Sequence, residues 1–363
     1  MAAEPRNVGF LHLGRPESGV RRYGQLIADE TRMRPNLTVT EVEAGRVDQS
    51  SEQLARVAAQ LAGCDVVFMQ WNKRGWGKRT SLPRLVRFRR SYDGALVVTM
   101  HDVFGREGLR ARYLDPDVWS WRQLGRTADA IVVHSQIEVE RLRGIIPIEK
   151  LRVIPHFVER RELALSPEEA RARLGLGERK LVTLLGFVYG RKGHRYAVEA
   201  VPFMPDDAMM VYAGGPVEGR TFVYDLALAK AEELGLGDRF RITGFLSEEE
   251  LETWIAATHL AILPFTDLSA SGSMSSWISA GKPMLVSDLP GTREYARRVP
   301  GALHFFGPAG EAWPLGSAIS ELLARPLPDP DPGVQQLARE LSMPNTVDRY
   351  LEVAGEALAG HQR

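Results

Sequence analysis

The sequence has almost no cysteine, no long apolar run and no net charge, and each absence excludes a class of protein. Its 363 residues contain one cysteine, Cys64, which excludes an internal disulfide framework and a zinc site built on cysteines. A lone cysteine is more often a small core residue than a nucleophile. No stretch approaches the roughly 18 apolar residues of a membrane-spanning helix. Because 46 basic and 46 acidic residues balance, bulk charge does not indicate nucleic-acid binding.

What is present is typical of a soluble globular protein. Hydrophobic residues make up 44% of the chain and charged residues 25%. The length suggests roughly two domains of 150–200 residues. The N-terminal residues lack the apolar segment of a signal peptide, and a single cysteine suits a reducing compartment. We therefore expect a cytoplasmic protein.

Short apolar runs alternate with helical patterns along the chain. Cys64–Gln70 (CDVVFMQ) and Ala95–Met100 (ALVVTM) are two such runs. This alternation predicts an α/β protein with mostly parallel sheets covered by helices. Ligands of such sheets bind beyond the carboxyl ends of the strands. Four side chains are expected at these ends: His101, Asp102, His134 and Ser135.

A polar, charged stretch at Leu163–Lys180 predicts the domain boundary. We expect a first domain over residues 1–170 and a second over 171–340, where the strand and helix pattern restarts. Residues 341–363 are expected to form a helix that crosses back to the first domain.

The stretch Thr266–Pro283 (TDLSASGSMSSWISAGKP) predicts an anion-binding helix start. It follows an apolar run that indicates a buried strand. Small residues at Ser271, Gly272 and Ser273 would let a phosphate or diphosphate reach the first backbone N–H groups of the next helix. An ordinary strand-to-helix turn would explain the same small residues.

The second half of the chain contains five recognisable segments: Leu184–Val201, Met209–Gly215, Leu234–Leu251, His259–Phe265 and Ser271–Tyr295. In these segments and in their order it resembles the nucleotide-sugar domain of retaining glycosyltransferases of family 4. The first half resembles the family more loosely, at Ser18–Val20, Val97–Asp102 and Ala130–Leu142. The resemblance implies the GT-B fold, in which two Rossmann-like domains face a central cleft. In that fold the first domain binds the acceptor and the second binds the nucleotide sugar.

The resemblance also implies site residues. Lys192 matches the lysine that contacts the donor phosphates, and His101 matches a histidine near the reacting sugar, so both are expected to be catalytic. A solvated loop lysine and a hydrogen-bonded core histidine are the respective alternatives. The donor diphosphate is expected at Gly19, Arg191, Lys192, Ser271, Gly272 and Ser273, and the base and ribose at Gly214, Phe245, Leu246 and Ser276. The donor substrate is a nucleotide sugar, and we expect no other cofactor and no metal.

One part of the family pattern is missing. The family carries two glutamates eight positions apart, and those positions hold Leu268 and Ser276 here. Asp267 is adjacent to the first of them. The chain therefore resembles a serine-rich variant of the motif. Two alternatives to a glycosyltransferase stay open: a degenerate protein that binds a nucleotide sugar or glycan without transfer, and a GT-B enzyme of other chemistry.

A basic stretch at Trp71–Arg90 holds eight basic residues and no acidic one, with interleaved aromatic residues. A solvated face over core aromatics is one interpretation. The other is a patch that binds the acceptor through Trp71, Lys73 and Arg74, or that contacts a membrane surface peripherally. The acceptor is expected to be a glycan, a lipid-linked molecule or a small molecule, and no nucleic-acid partner is expected.

Overall fold

A computed structural model describes residues 4–13, 19–44, 51–71, 81–101, 103, 116–159, 161–216, 219–267 and 271–362. The chain divides into two compact units, each with its own sheet. Unit one comprises Met1–His156 and Met343–Arg363, and unit two comprises Phe157–Ser342.

Unit one contains a parallel sheet of six strands in the order β2-β1-β3-β4-β5-β6. Its strands are β1 (Asn7–His12), β2 (Thr38–Glu43), β3 (Val66–Trp71), β4 (Ala95–Met100), β5 (Ala130–Val133) and β6 (Leu151–Val153). Its helices are α1 (Gly19–Arg32), α2 (Ser51–Leu61), α3 (Ser81–Arg90), α4 (Pro116–Thr127), α5 (Gln136–Leu142) and, at the end of the chain, α14 (Met343–His361).

The central strands of unit one are buried along their whole length. Every residue of β3 and β4 is buried, and the two strands pair in parallel from Val66 with Ala95 to Trp71 with Met100. Strands covered on both faces need continuous apolar runs rather than an alternating pattern, which explains the runs seen in the sequence.

Helix α14 completes unit one, although it lies far from the other elements in sequence. It packs against β4 and α1. The hydroxyl of Tyr350 lies 3.0 Å from the hydroxyl of Thr99 and 3.3 Å from that of Tyr23. The sequence predicted a helix in this segment, and these buried contacts explain why it groups with the first strands.

Unit two contains a second parallel sheet of six strands, in the order β12-β11-β10-β7-β8-β9. Its strands are β7 (Lys180–Leu185), β8 (Ala208–Ala213), β9 (Phe240–Ile242), β10 (Leu260–Leu263), β11 (Met284–Ser287) and β12 (His304–Phe306). Its helices are α6 (Pro167–Leu174), α7 (His194–Ala200), α8 (Phe222–Glu233), α9 (Glu248–Ala257), α10 (Gly272–Ser279), α11 (Pro290–Arg298), α12 (Ala312–Leu323) and α13 (Pro332–Glu340).

The structure divides the chain earlier than the predicted boundary between residues 170 and 171. The division falls after His156, and the charged stretch that suggested the boundary contains helix α6 of unit two. Ser166 and Glu169 cap the start of this helix, and Ala170 lies in the core of unit two. The polar residues thus belong to the exposed face of a packed helix rather than to a linker.

Candidate active site

Lys192 lies on the loop that follows β7, a central strand of the sheet in unit two. The loop makes a short 3-10 turn over Gly190–Lys192 and then passes through Gly193 with a φ of 77°. A Cβ at Gly193 would lie 1.9 Å from the carbonyl oxygen of Pro264. The glycine therefore permits both the left-handed conformation and the close approach of the neighbouring loop.

The side chain of Lys192 is buried, which contradicts the alternative of a solvated loop lysine. Its Nζ donates a 2.8 Å hydrogen bond to the carbonyl oxygen of Leu185. Burial lowers the pKa of the Lys192 ammonium to about 8. Among the described residues no carboxylate forms an ion pair with it. A buried cation that lacks an acidic neighbour favours binding of an anion, because the anion would supply the missing opposite charge.

Gly186 makes room for this ammonium. A Cβ added at Gly186 would lie 2.4 Å from Nζ of Lys192. The backbone of Gly186 also packs closely against Gly214, one of the predicted base or ribose residues, whose N–H donates to Thr243 Oγ1 at 3.0 Å. The loops after β7, β8 and β9 are thus in contact at one edge of the sheet.

A helix starts where the sequence predicted one, on the segment that follows β10. Helix α10 begins at Gly272, directly after its N-cap Ser271. The hydroxyl of Ser271 accepts a 3.3 Å hydrogen bond from the N–H of Met274 and lies 3.0 Å from the hydroxyl of Ser273. The N–H groups of Gly272 and Ser273 have no acceptor inside the helix, since the first turn of any α-helix lacks them.

Lys192 and the helix start follow neighbouring strands. Strands β7 and β10 pair in parallel, so their carboxyl ends lie at the same edge. The N–H of Thr266 donates a 3.1 Å hydrogen bond to the carbonyl oxygen of Arg191. Unit two therefore combines a buried cation and a helix N-terminus on two loops that are tied together, an arrangement suited to a diphosphate.

Exposed aromatic rings lie at the same edge. Phe245, predicted to contact the base, is 67% exposed, and Phe187 is 55% exposed. Their ring centroids are 6.2 Å apart at an interplanar angle of 72°. Leu246 is half-buried and packs against the core of unit two. Phe187 received no role from its sequence, although it lies directly after Gly186, the glycine that makes room for Lys192.

Ser276, the residue predicted at the position of the family's second glutamate, is half-buried. Ser276 lies on α10, and its hydroxyl donates a 3.1 Å hydrogen bond to the carbonyl oxygen of Gly272. Asp267 is exposed. Leu268 lies outside the described residues, so the role of this segment in ribose recognition stays a prediction.

In unit one, His101 lies directly after β4, as predicted, and is half-buried. Its Nε2 lies 2.7 Å from the side-chain oxygen of Gln70, and its Nδ1 lies 3.3 Å from Nε2 of His134. Burial and the neighbouring imidazoles of His134 and His156 hold the pKa of His101 well below its usual range. His101 is therefore neutral at pH 7. The sequence analysis did not identify Gln70 as its partner.

Gly19, the remaining predicted diphosphate residue, begins helix α1 and is exposed. A Cβ added there would meet no atom within 4 Å. The structure thus shows no steric requirement for glycine at this position, and its contact with the donor stays a prediction.

The predicted acceptor patch requires a correction. Trp71 and Phe88 lie in the hydrophobic core of unit one, so neither ring has a face free for stacking on a sugar. Trp71 and Phe88 are thus core residues, and Trp76 lies outside the described residues. Lys73 and Arg74 lie outside the described residues. The acceptor role of Trp71 is therefore withdrawn.

Over the described parts of the chain, no group of three or more His, Cys, Asp or Glu side chains could hold a metal ion. Over those same residues, no helix has the length and apolarity required to cross a membrane.

Residues 178–325 match the family of glycosyl transferases group 1. The matched segment lies within unit two and contains Lys192, Phe245 and the start of α10. The group 1 match therefore covers the predicted donor-binding residues other than Gly19.

Relatives of known function carry the same enzyme class in their names. The alpha-D-kanosaminyltransferase of Streptomyces kanamyceticus is 26% identical over 264 residues, which cover 69% of this chain and 65% of that protein. The 2-deoxystreptamine glucosyltransferase of the same organism is 26% identical over 223 residues, 58% of this chain and 54% of that protein. Both alignments span less than two thirds of the relative. The names of both relatives and of the group 1 family give the same enzyme class, glycosyltransferase.

A solved structure matches the fold over almost the whole chain. The crystal structure of HepE from Anabaena in complex with UDP and glucose superposes with a TM-score of 0.69 at 16% sequence identity, and covers 95% of this chain and 98% of that chain. The prediction of a GT-B fold with two Rossmann-like domains is confirmed.

Proposed function

We propose that the protein is a glycosyltransferase that transfers a sugar from a nucleoside-diphosphate sugar to a hydroxyl-bearing acceptor. The observation that carries the proposal is the buried ammonium of Lys192, which lacks a carboxylate partner among the described residues. Its loop is hydrogen-bonded to the loop that leads into α10. The group 1 match over the same residues supports it.

The chemistry follows from these groups. When the bond between the anomeric carbon and the donor phosphate breaks, the departing nucleoside diphosphate takes the electron pair and gains negative charge. Lys192 and the first N–H groups of α10 stabilise that charge without rearrangement in the transition state. The acceptor oxygen forms the new bond to the anomeric carbon, and its proton passes to an oxygen of the departing diphosphate. Arg191, on the same loop, supplies further positive charge.

The finer features of the reaction are part of the proposal. Unit two binds the donor and unit one binds the acceptor, with His101 acting at the reacting sugar. Transfer retains the anomeric configuration, and it requires no divalent metal because Lys192 and the helix start carry the charge of the leaving group. The acceptor is a glycan, a lipid-linked molecule or a small polyhydroxy molecule.

A panel of nucleotide sugars tests the proposal. A donor present at 100 times its Kd should stabilise the protein by about 2.7 kcal/mol, which a thermal unfolding assay detects. The panel begins with UDP-glucose, because UDP and glucose are bound in the matching HepE structure. The stabilising donor is then incubated with candidate acceptors, including 2-deoxystreptamine, which one relative's name contains.

Transfer is measured as acceptor-dependent release of the nucleoside diphosphate, with and without a chelator, and NMR of the product gives the anomeric configuration. Release that persists in the chelator supports metal-independent transfer. Donor binding without turnover on any acceptor would favour a binding protein that has lost catalysis. An absence of stabilisation by every nucleotide sugar would overturn the proposal.

A further inference from the structure

Three side chains and one backbone carbonyl form a continuous row at the carboxyl edge of the sheet in unit one. Nε2 of His101 lies 2.7 Å from the side-chain oxygen of Gln70, and Nδ1 of His101 lies 3.3 Å from Nε2 of His134. Nδ1 of His134 lies 3.0 Å from the carbonyl oxygen of Ile154. Each of these three contacts joins two atoms that can both accept a hydrogen bond, so one atom of each pair has to carry a hydrogen.

The end of the row at Ile154 determines which atoms carry these hydrogens. A carbonyl oxygen only accepts, so Nδ1 of His134 carries a hydrogen. Burial lowers the pKa of His134 to about 3, so the ring is neutral and its Nε2 has a lone pair. Nδ1 of His101 must then carry a hydrogen to donate to that lone pair.

The hydrogen on Nδ1 of His101 also determines how the Gln70 amide is oriented at the other end of the row. Because the ring of His101 is neutral, its Nε2 also has a lone pair, which faces the amide of Gln70. Amide oxygen and nitrogen positions interchange by a rotation of the side chain, and the hydrogen-bond network determines which is present. Gln70 therefore turns its amide N–H toward His101.

We infer that His134 is a positioning residue that fixes His101 as the neutral tautomer with its hydrogen on Nδ1. The tautomer itself does not depend on the proposed function, whereas its effect on transfer does. Because Gln70 and His134 engage both ring nitrogens of His101, this effect comes from the fixed orientation of the ring.

The structure holds His134 firmly enough for this role. Its backbone N–H donates a 2.6 Å hydrogen bond to Oε2 of Glu138, the buried carboxyl group that also caps α5. The rings of Tyr23 and His156 lie at centroid distances of 5.5 Å and 5.6 Å from His134. Burial raises the pKa of the Glu138 carboxyl to about 7.

Two substitutions of His134 separate positioning from packing. In His134→Asn, the amide nitrogen takes the place of Nδ1 and still donates to Ile154, but nothing accepts from His101. In His134→Gln, the longer side chain places its oxygen near the former Nε2 position, so the acceptor for His101 is kept. NMR of protein labelled with ¹⁵N-histidine, without substrate, reports which ring nitrogen of His101 carries the hydrogen.

We expect the Nδ1–H tautomer of His101 in the wild-type protein and in His134→Gln, and a mixture with the Nε2–H form in His134→Asn. Wild-type His101 with its hydrogen on Nε2 would overturn the inference, and this measurement needs no variant. So would an unchanged tautomer in folded His134→Asn, or the same mixture in both variants, which would indicate a general loss of packing.

Sugar transfer supplies a separate measurement. We expect kcat to fall on the order of tenfold in His134→Asn, which corresponds to about 1.4 kcal/mol, with recovery in His134→Gln. A wild-type protein that shows the Nδ1–H tautomer but transfers no sugar would contradict the proposed function and leave the tautomer assignment intact. An altered tautomer with unchanged kcat would overturn the positioning role.

Discussion

The carbonyl oxygen of Arg191 accepts a 3.1 Å hydrogen bond from the backbone N–H of Thr266. This bond joins the loop that carries Lys192 to the loop that leads into α10. The two groups best suited to bind a diphosphate therefore belong to one hydrogen-bonded assembly rather than to two independent loops. Substitutions in this assembly should affect donor binding and turnover more than overall stability.

Lys192→Met should lower kcat/KM by about 10²–10³, the scale for loss of one group that stabilises developing charge. Methionine is chosen because Lys192 is buried, and an apolar side chain of similar length fills the space. Steady-state kinetics with the identified donor measures the change. Lys230→Met on α8 is the control, since it removes the same charge from a lysine that pairs with Glu233. Near wild-type activity in Lys192→Met would contradict the site assignment.

Binding of a nucleoside diphosphate should weaken as the pH rises above about 8. Burial lowers the pKa of Lys192 to about 8 in the free protein, so the ammonium is present below that pH and lost above it. A bound diphosphate favours the charged form, so the complex keeps the proton that the free protein loses. The affinity should fall by up to tenfold for each pH unit above 8, about 1.4 kcal/mol per unit.

Calorimetric titration with UDP between pH 7 and 9.5 measures this dependence. Lys192→Arg provides the control, because a guanidinium stays charged throughout this range. We expect its affinity to change little with pH. An equally steep loss of affinity in Lys192→Arg would assign the dependence to another group.

The central strands could be predicted well from sequence because they are parallel and buried. Runs such as Ala95–Met100 are buried along their whole length, and their shortness favours a strand over a buried helix. Helix α9 was also predictable, since Ser247 and Glu250 form the capping box that the spacing indicates. The start of α10 was recognised for a different reason, the small residues from Ser271 to Ser273 that follow an apolar run.

What the sequence could not show was which side chains tertiary packing removes from solvent. Trp71 and Phe88 lie among basic residues, and only the packing of β3 and α3 shows that both rings face the core. The burial of Lys192 was equally hidden, since it depends on the bare backbone at Gly186. Gln70 and His134 contact His101 because β3 and β5 both pair with β4. These strands are far apart in sequence, so the contacts could not be predicted from local residue spacing.

Phe245→Ala should weaken UDP binding by about 1–3 kcal/mol, the range for loss of an aromatic ring that stacks on a base. Phe245 is 67% exposed, so its removal leaves the core intact. Calorimetric titration compares this variant with Phe203→Ala, which removes another exposed ring of unit two from the turn after α7. Equal affinities in wild type and Phe245→Ala would exclude a base contact at this ring.

The last prediction concerns ribose recognition. A carboxylate accepts hydrogen bonds from ribose hydroxyls as a charged group, with bonds worth about 1.5–3 kcal/mol against 0.5–1.5 kcal/mol for neutral ones. Ser276 is predicted at the position of that carboxylate, and its hydroxyl already donates to the carbonyl oxygen of Gly272. Donor affinity should therefore depend mainly on the diphosphate and base. We expect 2′-deoxy-UDP to bind less than tenfold more weakly than UDP, a difference under about 1.4 kcal/mol.

Ser276→Glu places a carboxylate at this half-buried position of α10. In this variant we expect UDP to bind more tightly while 2′-deoxy-UDP gains less, because only the ribose supplies the 2′-hydroxyl donor. Ser276→Ala is the matched control and should leave both affinities close to wild type. Calorimetric titration of both ligands against the three proteins measures the contrast. A hundredfold preference for UDP in the wild-type protein would show that another group already binds the ribose, and that the match of Leu268 and Ser276 to the family's glutamates is out of register.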